Sequence, residues 1–459
     1  MTTLAERLAA FTAGLRFEAL PAAVVDNVKL RLLDTLGLAL AGSREDFARA
    51  LFGVLDGDSG PCTVVGASRA SSAALASLVN GALAHGLDYD DTHAASITHA
   101  SAVVLPAALA TAQARGLDGQ TAITAAVAGY EAITRLGMAA PGAFHDRGFH
   151  ATAVCGPFAA ALVAGRGLLL EPERLTAALG IAGSCASGLM EFLEDGSGVK
   201  RLHPGWASHA GIVAATLAAG GFTGPATVLE GRFGLYAAFV GKAADPAPFE
   251  TLGRVWETLR VAFKPYPCCH YNHAYLDCAL EIRAAGAHDP DAIESVECRV
   301  PAGEVPIICE PTDAKARPRT PYDAKFSLPF SVAAALVDGT VGLDTYAPAR
   351  LADPRVLNLS ARVRYAVDDD APFPATFPGW VCVRLRDGRM LQARAPDGRG
   401  GPERPLPAAA IVAKFRDNAT RALPEARVRD LEHAVLALDR LPSVAAIGDA
   451  CRACGRMDA

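Results

Sequence analysis

The sequence predicts a mainly α protein with an α+β part: a large all-helical domain made from both chain ends, residues 1–263 and 401–459, and a smaller α+β domain inserted at 264–400. Three observations predict it. Apolar residues recur at helical spacing through the first half, the period shortens towards two among prolines after Phe263, and helical spacing returns beyond Pro405. Aromatic residues make up only 7% of the chain while alanine abounds, which favours closely packed helices over a thick aromatic core.

From Pro21 to Gly42 the apolar positions Val25, Val28, Leu32, Leu36 and Leu40 mark an amphipathic helix, with Pro21 near its start and Gly42 at its end. Similar periodic segments follow at Ala73–Gly86, Ser101–Arg115, Thr121–Leu136, Ala151–Arg166, Glu173–Phe192 and Ser208–Gly220. Pro265, Pro267, Pro301 and Pro306 then punctuate the chain, and Ile293–Val300 reads as a strand. Val381, Val383 and Leu385 alternate with Arg384 and Arg386, and Asp387-Gly388 supplies a hairpin turn before Met390–Ala395. Helical periodicity resumes through Ala408–Leu438.

Composition narrows the function. With 459 residues, 51% hydrophobic and 20% charged, the chain is an ordinary globular one. A net charge of -6 offers no basic field to recruit phosphate backbones or anionic lipid, so no nucleic acid and no membrane partner is expected. Residues Met1 to Gly14 lack the apolar core of an export signal, and Gly156, Pro157 and Arg166 interrupt the most apolar window, so the expected location is cytoplasmic. The 11 cysteines then read as buried free thiols. Cys451 and Cys454 form a lone C-x-x-C without the second pair that a zinc site needs.

Chemistry concentrates in the histidines. Nine of the 11 fall in four stretches: His85, His93 and His99; His145 and His150; His203 and His209; His270 and His273. The first also holds Asp88, Asp90, Asp91 and Thr92; the carboxylates must be solvated, paired with cations, bound to metal or engaged with backbone N–H groups. A solvated, acidic helix end is the plain alternative, and the apolar sequence on either side argues against it. His150 precedes a small-residue helix, where backbone donors can attract a carboxylate. Lys200 and His203 follow a glycine-rich loop whose spacing is wrong for a P-loop, which leaves them suited to holding an anion. Lys264-Pro-Tyr-Pro with His270 and His273 combines stiff prolines with polar groups.

These stretches, in this order, resemble the MmgE/PrpD family, which includes 2-methylcitrate dehydratases, cis-aconitate decarboxylases and iminodisuccinate epimerases. The resemblance spans nearly the whole chain: Asp34-Thr-Leu-Gly37, Leu87-Asp-Tyr-Asp-Asp-Thr92, Gly148-Phe-His150, Lys200 to His209, Lys264-Pro-Tyr-Pro267 and Asp323-Ala-Lys-Phe-Ser-Leu-Pro329. It implies a homodimer acting on a small polycarboxylate; because the histidines are expected to act as acids, bases and anion ligands, no cofactor or metal is expected. Asp88, Thr92, His99, His150, Lys200 and His273 match the family's catalytic positions, His273 better than His270; His203, Lys264 and His270 are expected to bind substrate. One departure stands out: Phe330 occupies a place where relatives, decarboxylases included, commonly carry tyrosine, so a hydroxyl is missing there.

The expected activity is therefore a lyase that dehydrates a 2-methylcitrate- or citrate-like β-hydroxy acid, with Lys200 meeting developing charge and His99 or His150 exchanging the proton. Epimerisation of an iminodisuccinate-type substrate and decarboxylation of a cis-aconitate-type substrate use the same apparatus. A metal-dependent prenyl-transfer enzyme is a remote alternative, because Asp90-Asp91 lacks the later aspartate and the second acidic cluster of such proteins. A non-catalytic helical binding protein would leave the four polar stretches without a reason to recur together.

Overall fold

The first helix begins at a capping box. Thr3 Oγ1 accepts from the Glu6 N–H at 3.1 Å, the Glu6 carboxylate accepts from the Thr3 N–H at 2.7 Å, and α1 runs Leu4–Gly14. The computed structural model describes residues 2–373 and 376–453, so Cys454 of the C-x-x-C lies outside them. By its contacts the chain divides into two compact units. One comprises Met1–Gly86, Asp90–Val261 and Pro407–Ala459, the other Leu87–Tyr89 and Ala262–Leu406.

The first unit is helical, as its periodicity predicts. After α1 come α2 (Ala22–Gly42), α3 (Ala73–His85), α4 (Ser101–Arg115), α5 (Gly119–Met138), α6 (Ala151–Gly167), α7 (Pro172–Gly183) and α8 (His203–Ala219). From the tail, α9 (Ala408–Ala419) packs on α2, and α10 (Glu425–Leu436) follows. The expected helix Glu173–Phe192 is a correction: it stops at Gly183, and an irregular segment leads to a short turn at Phe192–Asp195. Gly180 and Gly183 are embedded in close packing there, and Gly188 takes φ 117°, which a helix does not allow. The helix expected from Ser208 instead begins at His203, with Pro204 in its first turn, where a missing N–H costs nothing. The segment Ala408–Leu438 is likewise two helices, separated around Pro424, which caps the second.

Helix α2 departs from the amphipathic expectation. From Arg31 to Gly42 every residue is buried, so Arg31 and Asp34 lie inside the unit and need partners. Small residues bring the helices close. An ideal Cβ on Gly205 of α8 would stand 2.1 Å from the Leu78 carbonyl oxygen of α3, so only glycine allows that crossing. It sets the start of α8, at His203, beside the helix that ends at His85.

The second unit carries a four-stranded sheet of β1 (Ile293–Val300), β2 (Val363–Val367), β3 (Gly379–Leu385) and β4 (Met390–Ala395), in the order β2-β1-β3-β4. β1 pairs parallel with β2 and antiparallel with β3, and β3 and β4 form the hairpin that Asp387-Gly388 predicts. β2 had no alternating apolar signal: as an edge strand it buries Val363 alone. A register shift between Ile293 and Ser295 lets Ile293 and Val296 both point inward despite their odd spacing. α11 (His273–Ala284) packs on β3 and β4, with α12 (Leu328–Asp338) beside it. Among the described residues no helix is long and apolar enough to cross a membrane. The ten described cysteines are free; Cys185 and Cys269 are half-buried and the rest buried, in line with their expected role as packed thiols.

Candidate functional site

The acidic motif shows how the fold treats charge. Asp88, Asp90 and Asp91 are 1%, 1% and 2% exposed, which disposes of a solvated helix end. Each has a different partner. Asp91 accepts from Arg31 Nη1 at 2.8 Å and from the Ser101 N–H at 3.0 Å, so it caps α4 while neutralising the guanidinium buried in α2. Arg31 also donates to the Val261 carbonyl and, at 2.6 Å, to Asn27 Oδ1. Asp34 pairs with Lys414 of α9 at 2.9 Å, yet burial still pushes its carboxyl up to about 6. Asp90 accepts from His85 Nδ1 at 2.8 Å and lies 3.8 Å from His99 Nδ1.

Four buried imidazoles gather in the first unit. His85 ends α3, His99 lies two residues before α4, His150 directly precedes α6, and His203 opens α8. The ring centroids of His85 and His99 are 4.8 Å apart, those of His99 and His150 5.7 Å, and those of His150 and His203 5.2 Å. Hydrogen bonds settle which nitrogens carry protons. His99 Nδ1 lies 2.9 Å from the Asp91 carbonyl oxygen, which can only accept, so Nδ1 donates and Nε2 of the neutral ring keeps its lone pair. His85 follows the same rule, donating Nδ1–H to Asp90. Thr92 Oγ1 lies 3.3 Å from His99 Nδ1, and Thr152 Oγ1 accepts from the His99 N–H at 2.9 Å, tying the starts of α4 and α6 together. His150 Nδ1 and His203 Nδ1 stand 3.1 Å apart, so one of the two rings donates to the other.

The electrostatics favour neutral rings. Burial, then the neighbouring His203, His99, Lys200 and His145, hold His150 well below the usual histidine range. His203 is lowered to about 4 by burial, then by His85 and Lys200; His145 is lowered to about 4 by burial and then Lys200. Lys200 is itself buried, within the turn Gly198–Leu202 before α8. Three helices of 15, 17 and 17 residues thus begin at or just after His99, His150 and His203, and their unpaired N–H groups add positive potential at that end.

The remaining expected residues lie in the second unit. Lys264 Nζ donates to the Asp88 carbonyl at 3.0 Å and lies 3.4 Å from its carboxylate, while Asp88 takes a left-handed φ of 54°. Lys325 donates to the Leu87 carbonyl, and its own carbonyl accepts from Asn272 Nδ2 at 3.1 Å. His270 and His273 stack at 4.8 Å. Burial and then Lys264 lower His270 to about 3; burial, His270 and Lys264 lower His273 well below its usual range. His273 Nε2 faces the Cys268 carbonyl at 3.3 Å. Phe330 is fully buried in this unit's apolar core, 6.2 Å ring to ring from Tyr346. Tyr346 Oη bonds Ser331 Oγ at 3.0 Å, and burial, then Cys268 and, more weakly, Asp88 hold its phenol well above the usual range. A phenol 16 residues further on therefore sits near Asp88, although Phe330 lacks one.

Sequence reasoning missed His85 as a site residue, and with it Asp90, His145, Lys325 and Tyr346. The signal for His85 was its place five residues before Asp90, at a helix end, where a ring and a carboxylate can meet. Tyr346 had no local signal at all.

Buried imidazoles near one lysine, at or close to the starts of three helices, bring together groups whose chemistry suits an anion and a mobile proton. The chain belongs to the MmgE/PrpD family: the model of its N-terminal domain matches residues 6–246 and that of its C-terminal domain residues 266–440. Among curated relatives, a cis-aconitate decarboxylase of Aspergillus terreus is 27% identical, covering 95% of this chain and 93% of the relative. A cis-aconitate decarboxylase-like protein of Aspergillus oryzae is 28% identical over 92% of this chain and 91% of its own length. The cis-aconitate decarboxylase of Homo sapiens is also 28% identical, over 96% of this chain and 93% of its own.

Proposed function

We propose that the chain is a lyase acting on a small tricarboxylate of the cis-aconitate type, releasing CO2 and protonating the carbon left behind. The cluster of neutral imidazoles around Lys200 carries this reading. Loss of CO2 leaves an electron pair on carbon, delocalised over the neighbouring double bond, and one proton must be delivered to it. Bare His150 and His203 are held neutral; a bound polyanion supplies the opposite charge that raises an imidazole's proton affinity, so substrate binding itself loads the donor. Lys200 and the helix starts meet the carboxylates. His99 exposes Nε2 as base or donor, Thr92 and the Asp91 carbonyl hold its ring, and Asp88, Lys264, His270 and His273 are proposed as carboxylate-binding residues on the strength of the Lys264 charge. The names of the relatives favour decarboxylation, and Tyr346 offers a phenol that Phe330 does not.

Dehydration of a 2-methylcitrate-like acid is the second reading. It is favoured by Phe330 and by two separately held imidazoles, His99 and His150, 5.7 Å apart, able to serve as base and acid. Neither reaction requires a metal or organic cofactor in the steps written above. Purified protein incubated with cis-aconitate, 2-methylcitrate, citrate and iminodisuccinate in deuterated buffer, with products followed by NMR and CO2 release measured, separates the readings. Decarboxylated product carrying one deuterium supports the first; an alkene with release of water supports the second; turnover of none of the four overturns both. A homodimer is proposed with this activity, and Phe222 and Phe233, 61% and 85% exposed, provide apolar surface for assembly. Light scattering giving the mass of one chain for the active species overturns that assembly.

A further inference from the structure

His85, His99 and His150 each offer one ring nitrogen, and the three atoms lie within 4.8 Å of one another on buried residues. A tetrahedral transition-metal site with bonds of about 2.0–2.1 Å needs donors about 3.4 Å apart, so small ring rotations suffice to close the set on one ion. A second layer of hydrogen bonds already holds the rings. His85 and His99 spend Nδ1–H on the Asp90 carboxylate and the Asp91 carbonyl, and one of the His150 and His203 rings donates to the other across 3.1 Å. A carboxylate or carbonyl behind the imidazole is the arrangement that orients histidine ligands and raises their basicity. Charge cuts both ways: Lys200 opposes a dication, while the carboxylate of Asp90, 2.8 Å from His85 and 3.8 Å from His99, draws one in.

We propose that His85, His99 and His150 form a binding site for one divalent transition-metal cation of the Zn²⁺ class, with the fourth position open to water. Three imidazoles and no oxygen ligand from the protein select such a borderline ion over Mg²⁺ or Ca²⁺. Once bound, the metal occupies ring lone pairs that proton transfer requires, so the loaded protein is silent and a chelator restores it. That second half rests on the lyase reading; the binding does not.

Metal-stripped full-length protein is titrated with Zn²⁺ against a chromophoric chelator, with Mg²⁺ as control. One Zn²⁺ per chain is expected at micromolar concentration, no Mg²⁺ at millimolar concentration, and at least tenfold weaker Zn²⁺ binding in His85→Gln. Absorption at the zinc edge of the loaded wild type is expected to show imidazole scattering, which keeps the test open if the variant folds poorly. No one-to-one binding, equal affinity in the variant, or a zinc edge without imidazole overturns the site. Undiminished turnover with the metal bound overturns the blocking while leaving the site intact; absence of any turnover, by contrast, bears on the lyase reading alone.

Discussion

The two units each bury a pair of close imidazoles, yet they hold them differently. In the first, His85 and His99 donate their Nδ1 protons to Asp90 and to a backbone carbonyl, which fixes the tautomer of each ring. In the second, His270 and His273 stack face to face at 4.8 Å, His273 Nδ1 has no hydrogen-bond partner among the described residues, and the charge beside them is the Lys264–Asp88 pair. Burial holds His270 and His273 below the usual histidine range, whereas in the first unit the Asp90 carboxylate and the Asp91 carbonyl fix the rings of His85 and His99. The difference teaches that burial depresses an imidazole's proton affinity wherever it occurs, while the acceptor behind the ring, a carboxylate at His85 and a carbonyl at His273, sets the two sites apart.

The largest expected effect breaks that comparison directly. Replacing His99 or His150 with Gln keeps bulk and removes titration, so turnover and substrate deuterium exchange are expected to fall by about a hundredfold to ten-thousandfold in the variant lacking the true donor, while His273→Gln weakens substrate binding more than turnover. Steady-state kinetics with exchange followed by NMR checks it; equal loss of kcat in all three erases the distinction between the units. Lys200→Ala comes next, with a loss of about a hundredfold or more in kcat/KM and an unchanged circular dichroism spectrum.

A stability effect follows. Arg31→Met leaves the Asp91 carboxylate buried without its guanidinium and is expected to cost about 3–5 kcal/mol in chemical denaturation. Lys264→Met removes the partner of Asp88, and the same measurement on both variants ranks the two buried pairs.

The smallest effect is in pH. His145 and His203 titrate at about 4 in the folded chain against a usual value of about 6.5 for an exposed ring, so between those values the unfolded chain binds more protons. Their contribution to stability is present above about pH 6.5 and is lost as pH falls towards 4. Asp34, raised to about 6, acts with the opposite sign, favouring the folded state below that value. Urea midpoints measured from pH 7 to 5 are expected to fall, and His203→Gln is expected to flatten the slope; a steeper slope in the variant contradicts the neutral ring.

Much of this was legible in the sequence because it is written in local pattern. α4 and β1 match their periodic segments residue for residue, and the clustering of histidine marked stretches whose rings the fold brings close. Other features depended on partners distant in the chain. Arg31 looked like the polar face of an amphipathic helix until Asp91, 60 residues away, accounted for its burial. β2 was invisible because an edge strand with one buried residue has no alternation to read. Glu173–Phe192 read as one helix because alanine and leucine spacing continues past Gly183, whereas close packing and a glycine φ of 117° decide otherwise.

The crossing at Gly205 has a consequence for how such a protein can change over generations. Adding a single methyl there would set it 2.1 Å from the Leu78 carbonyl oxygen and force α8 away from α3, carrying His203 and His85 apart without touching either ring. Catalytic drift in this chain can therefore arise from a substitution two residues from His203 that alters no charge and no hydrogen-bonding group, so a comparison of histidines alone would overlook it.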